Sequence, residues 1–332
     1  DMNISENLEA EPYNLDRNDM FEYLWPRCSN KEGQIVGLEM QITPSGLGYR
    51  SDIAEQVWGE GEGTREAMEK RFKDAGDNYD AYITIGKEIV EKTKGKTKMF
   101  AGTGDVWSLV NSQNKENLVN EDGSINFTGK VLPGLEIEKK WMDAGIIGTI
   151  DQWTPQWEAS YALGEVFCYP WTTWTTQGVR DDRDPDGAGH WGLMIPPYGP
   201  FSWGGTTMGI YNEGKNKEAT WEFIRWTNWE LDGAKAAADK RDYQLSRKSN
   251  YEADPSLASK VDDYYGIDLF AFWAECADET IAVVPTEYDQ IVGDAVGVAL
   301  TQLQANPAMT VDEMAEVVKT EIKNKDATVE IK

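Results

Sequence analysis

The sequence predicts an α/β protein with two lobes, and three features support this prediction. The chain has 332 residues, which is long for one small domain and suits two lobes. Residues 192–210 read as two short apolar strands around a Pro/Gly turn and a Trp-Gly-Gly corner. An amphipathic helix follows, with Trp221, Phe223 and Ile224 at helical spacing, and further helices of this kind occur along the chain.

Composition excludes several classes of partner. A net charge of -26 argues against nucleic acid and anionic lipid, because both require basic patches. A mean hydropathy of -0.57 and the lack of a long apolar run exclude a membrane span. The chain carries 14 Trp and 14 Tyr residues, and flat aromatic rings stack well on the apolar faces of sugars. Core packing is the alternative role for these rings, and we expect it for more than half of the tryptophans.

Three cysteines, Cys28, Cys168 and Cys276, are too few for a disulfide framework, and their spacing matches no zinc motif. We expect them to be inert packing residues. The chain opens at Asp1 without an initiator Met or a targeting segment, so we expect a fragment or a processed form.

The first part of the chain alternates short strands with helices. Residues 20–25 form a helix-like piece that Pro26 stops, and residues 33–49 give two short strands joined at Pro44. Residues 66–96 predict a helix. Residues 99–107 read as a strand running into a glycine loop that presents an acid and a Trp. Its Gly-x-Gly pair lacks a third glycine and a helix-opening Lys, which disfavours phosphate binding.

The second part is mainly helical around one strand. Helices are predicted over residues 135–144, over 157–163 ending at Gly164, and over 232–240, with a strand and loop over 164–174. A further helix opens after Val284. Thr310 and Glu313 form a capping box that starts the last helix.

Several segments together resemble the extracellular solute-binding proteins of carbohydrate ABC importers, the maltose-binding-like family. Trp191, Pro197, the Gly-Gly pair at 204–205 and Ala-Thr-Trp-Glu-Phe-Ile at 219–224 follow the family's central signature in order. Pro170-Trp171 matches its closing Pro-Trp. Residues 33–39 match its first crossing segment, with Glu39 in place of the usual Pro, and residues 243–249 and 310–315 match later segments.

The resemblance implies a two-lobe periplasmic-binding-protein-like fold of class II, whose discontinuous lobes are joined by crossing strands. Lobe 1 would hold residues 1–44 and 209–254, without the family's N-terminal strands. Lobe 2 would hold residues 49–203 and 255–332. Crossings would lie near 44–49, 203–209 and 252–256.

The resemblance also implies that an oligosaccharide lies in the cleft between the lobes. Its Pro-Trp motif makes Trp171 the first candidate for a ring that stacks on sugar. Asp105 would accept hydrogen bonds from sugar hydroxyls, since a carboxylate is a strong acceptor. For each aromatic residue, core packing is the alternative. The remaining candidate ligand-binding residues are Trp107, Trp203, Trp174, Tyr288, Ser45 and the amides of Gly204 and Gly205.

One acidic loop is a candidate calcium site. Asp182, Asp184 and Asp186 alternate before a glycine, as in the first half of a calcium-binding loop. The closing Glu is absent because Leu193 stands in its place, and Pro185 stiffens the loop. A solvated acidic turn is the alternative, and no other cofactor is expected.

The resemblance implies a monomer that captures an oligosaccharide outside the cell and delivers it to an ABC permease without cleaving it. It also implies a lipid-anchored surface protein or a periplasmic one. A glycoside-active enzyme is an alternative, although no acidic pair sits in a recognisable motif and His190, the one His, lies on a polar loop. A surface glycan-binding adhesin is the other alternative, and it would need an exposed platform.

Overall fold

A computed structural model describes residues 4–332 of the chain. The protein is a mixed α/β structure in which short strands are outnumbered by helices. The strands are β1 (Gly37–Glu39), β2 (Pro44–Arg50), β3 (Cys168–Thr172), β4 (Trp191–Met194), β5 (Phe201–Ser202), β6 (Thr207–Gly209), β7 (Val261–Asp262) and β8 (Ile267–Asp268).

The helices carry most of the chain. They are α1 (Trp25–Cys28), α2 (Ser51–Trp58), α3 (Arg65–Asp74), α4 (Tyr79–Lys92), α5 (Thr103–Gln113), α6 (Leu132–Asp143), α7 (Pro155–Leu163), α8 (Thr173–Gly178), α9 (Lys217–Asn228), α10 (Leu231–Arg241), α11 (Lys248–Ala253), α12 (Leu269–Glu279), α13 (Asp289–Ala305) and α14 (Val311–Lys325). None of the helices in the range 4–332 is long and apolar enough to cross a bilayer.

The chain forms two compact units, each assembled from separate segments. Unit 1 holds residues 1–45, 172–178 and 200–285, and unit 2 holds residues 46–171, 179–199 and 286–332. The first boundary lies within the crossing predicted near 44–49. The boundary at 199–200 lies a few residues before the predicted 203–209 crossing. A short segment, residues 172–178, belongs to unit 1, although the prediction placed it in lobe 2.

The third predicted crossing, near 252–256, does not coincide with a boundary between the two units. Residues 255–285 belong to unit 1 and not to the second lobe, and the chain leaves unit 1 only at 285. The reason is long-range packing. The Gln244 side chain donates to the carbonyls of Leu257 and Phe270, and Ala277 on α12 lies in the hydrophobic core of unit 1.

Unit 1 is built around an apolar core to which its N-terminal segment, β1, α9 and α12 contribute. Leu24, Leu38 and Ile224 are buried there. Strand β1 pairs antiparallel with β6, and the first two residues of β2 pair with β5. The antiparallel β7–β8 hairpin completes the strands of this unit.

Unit 2 contains a β-sheet and two hydrophobic cores, one aliphatic and one aromatic. Its part of β2 pairs with β4 in the register Leu47–Met194 to Arg50–Trp191, and β3 lies on the other edge of β2. Helices α13 and α14 enclose an aliphatic core with α6. Trp141 stacks on Phe100 with ring centroids 5.4 Å apart in an aromatic core next to α4.

Several local predictions are confirmed by the structure. The Thr310 side chain accepts from the Glu313 amide, and the Glu313 carboxylate accepts from the Thr310 amide, so the capping box is complete. Gly164 ends α7 in the left-handed conformation, at φ 66°. The helix predicted over 66–96 is instead two helices, because Gly76 and Asp77 adopt positive φ between α3 and α4.

Candidate functional site

A pair of partly exposed tryptophans lies on unit 1. The rings of Trp174 and Trp203 lie with centroids 5.0 Å apart and planes at 46°, and each ring is half-buried. Two glycines, Gly204 and Gly205, follow directly. We call these four residues the tryptophan corner. Four of the residues predicted from the sequence are therefore brought together here.

Helix α8 holds Trp174 at the edge of this surface. The Thr173 hydroxyl donates to the carbonyl of Ile42 over 2.9 Å, which fixes the first turn of α8 to the chain before β2. The Tyr265 hydroxyl donates to the carbonyl of Thr176 over 2.6 Å. Both anchors are buried, so the indole of Trp174 projects from a rigid base.

The two glycines of the corner are required by backbone angle and by space. Gly204 has φ 76° and Gly205 has φ 111°, values that side chains with a β-carbon rarely adopt. A β-carbon at Gly204 would lie 3.2 Å from Nε1 of Trp174. One at Gly205 would lie 2.0 Å from Nη2 of Arg27. The main chain at these two glycines therefore lies close to the indole of Trp174 and to the guanidinium of Arg27.

Arg27 ties the corner to the sheet beneath it. Its Nη1 donates to the Ser202 hydroxyl over 2.9 Å, and its Nη2 donates to the carbonyl of Gly204. The same guanidinium lies 3.2 Å from Oε1 of Glu39, and the Arg27 side chain is 15% exposed. The planar fork of an arginine suits this simultaneous contact with several oxygens.

Glu39 lies fully buried beneath the corner. Burial raises the pKa of its carboxyl group, and the charge of Arg27 opposes this shift. Its Oε1 accepts from the Thr207 hydroxyl over 3.2 Å, whereas its Oε2 has no hydrogen-bond partner among the described residues. The sequence presented Glu39 as a small departure from a family motif. In the structure, Glu39 is the counter-ion of Arg27, which holds the glycine turn of the corner in place.

Trp171, the first sequence candidate for stacking, is buried in unit 2. Its ring packs 5.0 Å from Trp191 and 5.9 Å from Tyr161, and it covers Gly48 so closely that a β-carbon there would lie 1.9 Å from the ring. With no exposed face, Trp171 packs the core in this structure, which was the alternative to a binding role. We therefore leave it out of the proposed site.

Asp105 is not on a glycine loop, and that prediction is wrong. It lies in the first turn of α5, which begins directly after Gly102, and it is only 1% exposed. Its carboxylate accepts from Nε1 of Trp157 at 3.1 Å and from Nε2 of Gln152 at 2.9 Å. Burial raises the pKa of Asp105 to about 7, although these two hydrogen bonds oppose the shift.

The remaining sequence candidates lie in or against cores. The rings of Trp107 and Tyr288 are half-buried against the aliphatic core of unit 2. Trp107 also packs on Gly134 of α6, where a β-carbon would lie 2.5 Å from the ring. Ser45 is fully buried in β2, and its hydroxyl donates to the carbonyl of Thr43 over 3.3 Å.

The three acids of the candidate calcium loop lie in different environments. Asp184 is buried and accepts from Nε1 of Trp191 over 2.9 Å, whereas Asp182 and Asp186 are exposed. No group of three or more His, Cys, Asp or Glu side chains within residues 4–332 is arranged to hold a metal ion. Of the three alternating acids, the middle one is therefore directed inward to the indole of Trp191.

The structure also reveals an exposed aromatic residue that the sequence analysis missed. Trp153 precedes α7, is 56% exposed and has a positive φ of 67°. Its ring lies against Trp157, with centroids 5.0 Å apart and planes at 50°. No local pattern marks this residue, because its exposure and its backbone angle are set by tertiary contacts.

Comparison with known proteins identifies the family. Residues 8–262 match the family model described as bacterial extracellular solute-binding protein. A lactose-binding protein of Rhizobium radiobacter is 27% identical over 169 residues. That match spans 50% of this chain and 37% of the relative, so the chain covers well under half of that protein's length.

Solved structures share the fold across almost the whole chain. A structure described as an extracellular solute-binding protein of family 1 has a TM-score of 0.81 at 14% identity, covering 97% of this chain and 80% of that one. The ABC-transporter-associated binding protein of B. animalis subsp. lactis, solved with β-1,6-galactobiose, has a TM-score of 0.74 at 15% identity, covering 99% and 82%. The fold is thus that of the periplasmic sugar-binding proteins, and the chain belongs to the bacterial extracellular solute-binding protein family.

Proposed function

We propose that this protein binds an oligosaccharide at the tryptophan corner of unit 1 and delivers it to an ABC import permease. The observation that carries the proposal is the pair of half-buried indoles, Trp174 and Trp203, set at an angle on a rigid glycine turn. Two inclined apolar planes suit the C–H faces of consecutive sugar rings.

The polar surroundings of the corner support the same ligand class. Sugars combine apolar ring faces with hydroxyl groups that need hydrogen-bond partners. Gly204 and Gly205 carry no side chain, so a ligand can approach their main chain closely. Arg27 keeps the turn rigid, which reduces the entropy lost when a ligand binds.

The ligands of related proteins favour this assignment. One relative is named a lactose-binding protein, and one structural neighbour was solved with β-1,6-galactobiose. Both names point to short galactose-containing oligosaccharides, which are therefore sensible first probes for this chain.

The expected affinity suits a delivery protein that must release its cargo. If each indole removes roughly 100 Å² of apolar surface from water, the loss of one ring costs about 2.5 kcal/mol at about 25 cal/mol/Å². Trp174→Ala should then weaken binding roughly 70-fold. Two such rings, less the entropy of association, leave an affinity on the order of micromolar.

We also propose that the protein does not cleave its ligand. Hydrolysis of a glycosidic bond generally needs two carboxyl groups that face the scissile bond. The carboxyl group beneath the tryptophan corner is that of Glu39, which is fully buried and paired with Arg27. That arrangement stabilises the turn and presents no acid to a ligand.

The location and assembly follow from the same proposal. A binding protein of an importer works outside the cytoplasmic membrane, either on a lipid anchor or in a periplasm. The net charge of -26 opposes self-association, which favours a monomer. Sedimentation velocity should give a single species of monomer mass with and without sugar.

A thermal-shift screen tests the proposal. The panel is lactose, maltose, maltotriose and β-1,6-galactobiose, each at increasing concentration, because a bound ligand raises Tm by mass action. At least one sugar should raise Tm, and Trp174→Ala and Trp203→Ala should remove most of the shift. Trp226→Ala is the matched control, since Trp226 is 47% exposed on α9 and lies outside the corner.

Three results would contradict the proposal. These are the absence of any shift across the panel, equal shifts in the Trp174→Ala and Trp226→Ala variants, and shortened sugars in chromatography after overnight incubation with the pure protein. The last result would instead favour a glycoside-active enzyme.

A further inference from the structure

A groove lies on unit 2 between the C-terminal end of α13 and the first turns of α14. Its volume is about 690 Å³, within the range of cavities that hold a ligand or a few side chains. The apolar residues that line it are Ala305, Met309 and Val317, and the exposed acids Asp312 and Glu316 line it as well. The groove therefore combines apolar contact surface with negative charge.

The two helices hold the groove in one shape. Met309 is 7% exposed and belongs to the aliphatic core that α13 and α14 share, and Val317 packs against that core. In the connection between the helices, the amide of Met309 donates to the carbonyl of Asn306 over 3.0 Å. The capping box of Thr310 then starts α14. A partner would thus meet a preformed surface, which reduces the entropy lost on binding.

Two features besides the net charge make the groove attractive to cations. Asp312 and Glu316 stand four residues apart on α14, so their carboxylates lie on the same face of the helix. Ala305 is the last residue of α13, so the negative end of that helix dipole lies at the groove. No lysine or arginine belongs to the lining within residues 4–332.

The acids of the groove differ in how far they are already engaged. The carboxylate of Glu313, a third lining acid, accepts from the amide and the hydroxyl of Thr310 and so serves the helix cap. Lys319 lies 3.7 Å from Glu316, a long contact between exposed side chains, and its Nζ also lies over the ring of Phe127. Asp312 and Glu316 therefore keep most of their capacity to pair with a cation from outside.

The exposure of the groove favours a protein segment over a small molecule. Sites for small molecules bury most of the ligand surface. Here Ala305, Asp312 and Glu316 are exposed, so a small apolar ligand would stay partly in water. A partner protein that inserts a side chain also covers the groove from above. A second copy of this chain is disfavoured, because it would bring the same acids and a net charge of -26.

We propose that this groove docks a partner protein through a short segment in which one or two large apolar side chains are flanked by lysine or arginine. The apolar side chains contact Met309 and Val317, and the flanking cations pair with Asp312 and Glu316. The inference concerns unit 2 alone. It does not depend on sugar binding at the tryptophan corner, which lies on unit 1.

Fluorescence anisotropy with two labelled peptides separates docking from the general attraction of a basic peptide to an acidic protein. One peptide has four lysines around two central leucines, and the other has serines in place of the leucines. Both peptides carry the same charge, so the ratio of their Kd values reports the apolar contact. We expect the leucine peptide to bind about tenfold more tightly, because its leucines leave water.

Three variants locate the contact. Ala305→Phe fills the groove and should reduce the advantage of the leucine peptide to less than about twofold. Glu316→Lys should weaken both peptides by about three- to tenfold, because it replaces an attraction by a repulsion. Glu136→Lys is the matched control, since Glu136 is exposed on α6 of the same unit and does not line the groove. It makes the same change in net charge and should weaken both peptides less than about twofold.

Methyl NMR shows directly whether the peptide enters the groove. The protein is labelled with ¹³C-methyl methionine, and the Met309 resonance is assigned by its loss in Met309→Leu, which conserves volume. The leucine peptide should shift this resonance with the Kd found by anisotropy, and the serine peptide should leave it in place. Met68, buried on α3 of the same unit, should not move with either peptide.

Several results would overturn the inference. These are equal Kd values for the two peptides, equal effects of Glu316→Lys and Glu136→Lys, and a Met309 methyl that does not move at saturating leucine peptide. Displacement of the leucine peptide by hexylammonium at the same free concentration would assign the groove to a small cation instead. A dimer in sedimentation velocity that Ala305→Phe dissociates would assign it to a second copy of the chain. Each of these results leaves the sugar-binding proposal standing, because the thermal-shift screen tests that proposal separately.

Discussion

Replacing Gly205 with alanine tests how tightly the tryptophan corner is built. A β-carbon there would lie 2.0 Å from Nη2 of Arg27 and 3.0 Å from Oε2 of Glu39. The guanidinium must therefore move away from the buried carboxylate. In addition, the backbone keeps a φ of 111°, which alanine tolerates poorly.

The expected cost has two parts. Positive φ costs an alanine about 1–2 kcal/mol. Separating one partner from a buried ion pair costs about 3–5 kcal/mol when both are fully buried, and because Arg27 is 15% exposed we take about 2–3 kcal/mol. The total of about 4 kcal/mol should lower Tm by roughly 8 °C or more.

The chain offers a matched control at Gly59. This residue has a φ of 117°, and a β-carbon there would meet nothing within 4 Å. Gly59→Ala should therefore report backbone strain alone, at about 1–2 kcal/mol. Differential scanning calorimetry of both variants separates the strain from the displaced guanidinium.

A double-variant cycle identifies the displaced group. In an Arg27→Ala background, Gly205→Ala should cost only about 1–2 kcal/mol from backbone strain, because the 2.0 Å contact with Nη2 of Arg27 is gone. Equal costs for Gly205→Ala and Gly59→Ala in the native background would refute the close approach of the turn to Arg27. An undiminished cost in the Arg27→Ala background would refute the assignment of the clash to the guanidinium.

Two further substitutions test the cores of unit 2. Burial raises the pKa of Glu138 well above its ordinary 4.5, so the native state holds a proton that the unfolded state releases, and the free energy of unfolding falls as pH rises above that value. Glu138→Gln should lessen this decline in urea denaturation between pH 5 and 8, and an unchanged slope would show that Glu138 is ionised when folded. Gly48→Ala places a β-carbon 1.9 Å from the ring of Trp171 and should lower stability by more than about 3 kcal/mol. The Gly48→Ala, Trp171→Phe double variant should recover part of that loss in the same assay. A double variant no more stable than Gly48→Ala would show that the loss does not come from the contact with Trp171.

The sequence predicts those parts of the fold that local chemistry determines. The capping box of Thr310 and Glu313 and the glycine end of α7 are local signals, and both are confirmed. The loop predicted around Asp105 was wrong because glycines in Gly-x-Gly can also start a helix, and here Gly102 precedes the first turn of α5. The last boundary between the two units lies away from the predicted third crossing because it depends on long-range packing of α12.

The sequence predicted the segments that form the candidate site, but it did not predict the contacts among their side chains. Trp171 and Trp174 stand three residues apart, one at the inward side of β3 and the other on the first turn of α8. Which of the two tryptophans is exposed depends on the residue at which β3 ends and α8 begins, and no sequence pattern marks that residue. The Arg27–Glu39 pair joins α1 to β1 and leaves no local pattern either.

A crystal structure of the protein with β-1,6-galactobiose, or with the panel sugar that gives the largest thermal shift, tests the central claim most directly. We predict an intact oligosaccharide with a sugar ring within about 4 Å of the Trp174 or Trp203 indole and its C–H face turned toward that indole. Density for the sugar away from both indoles, or for a cleaved product, would contradict the account.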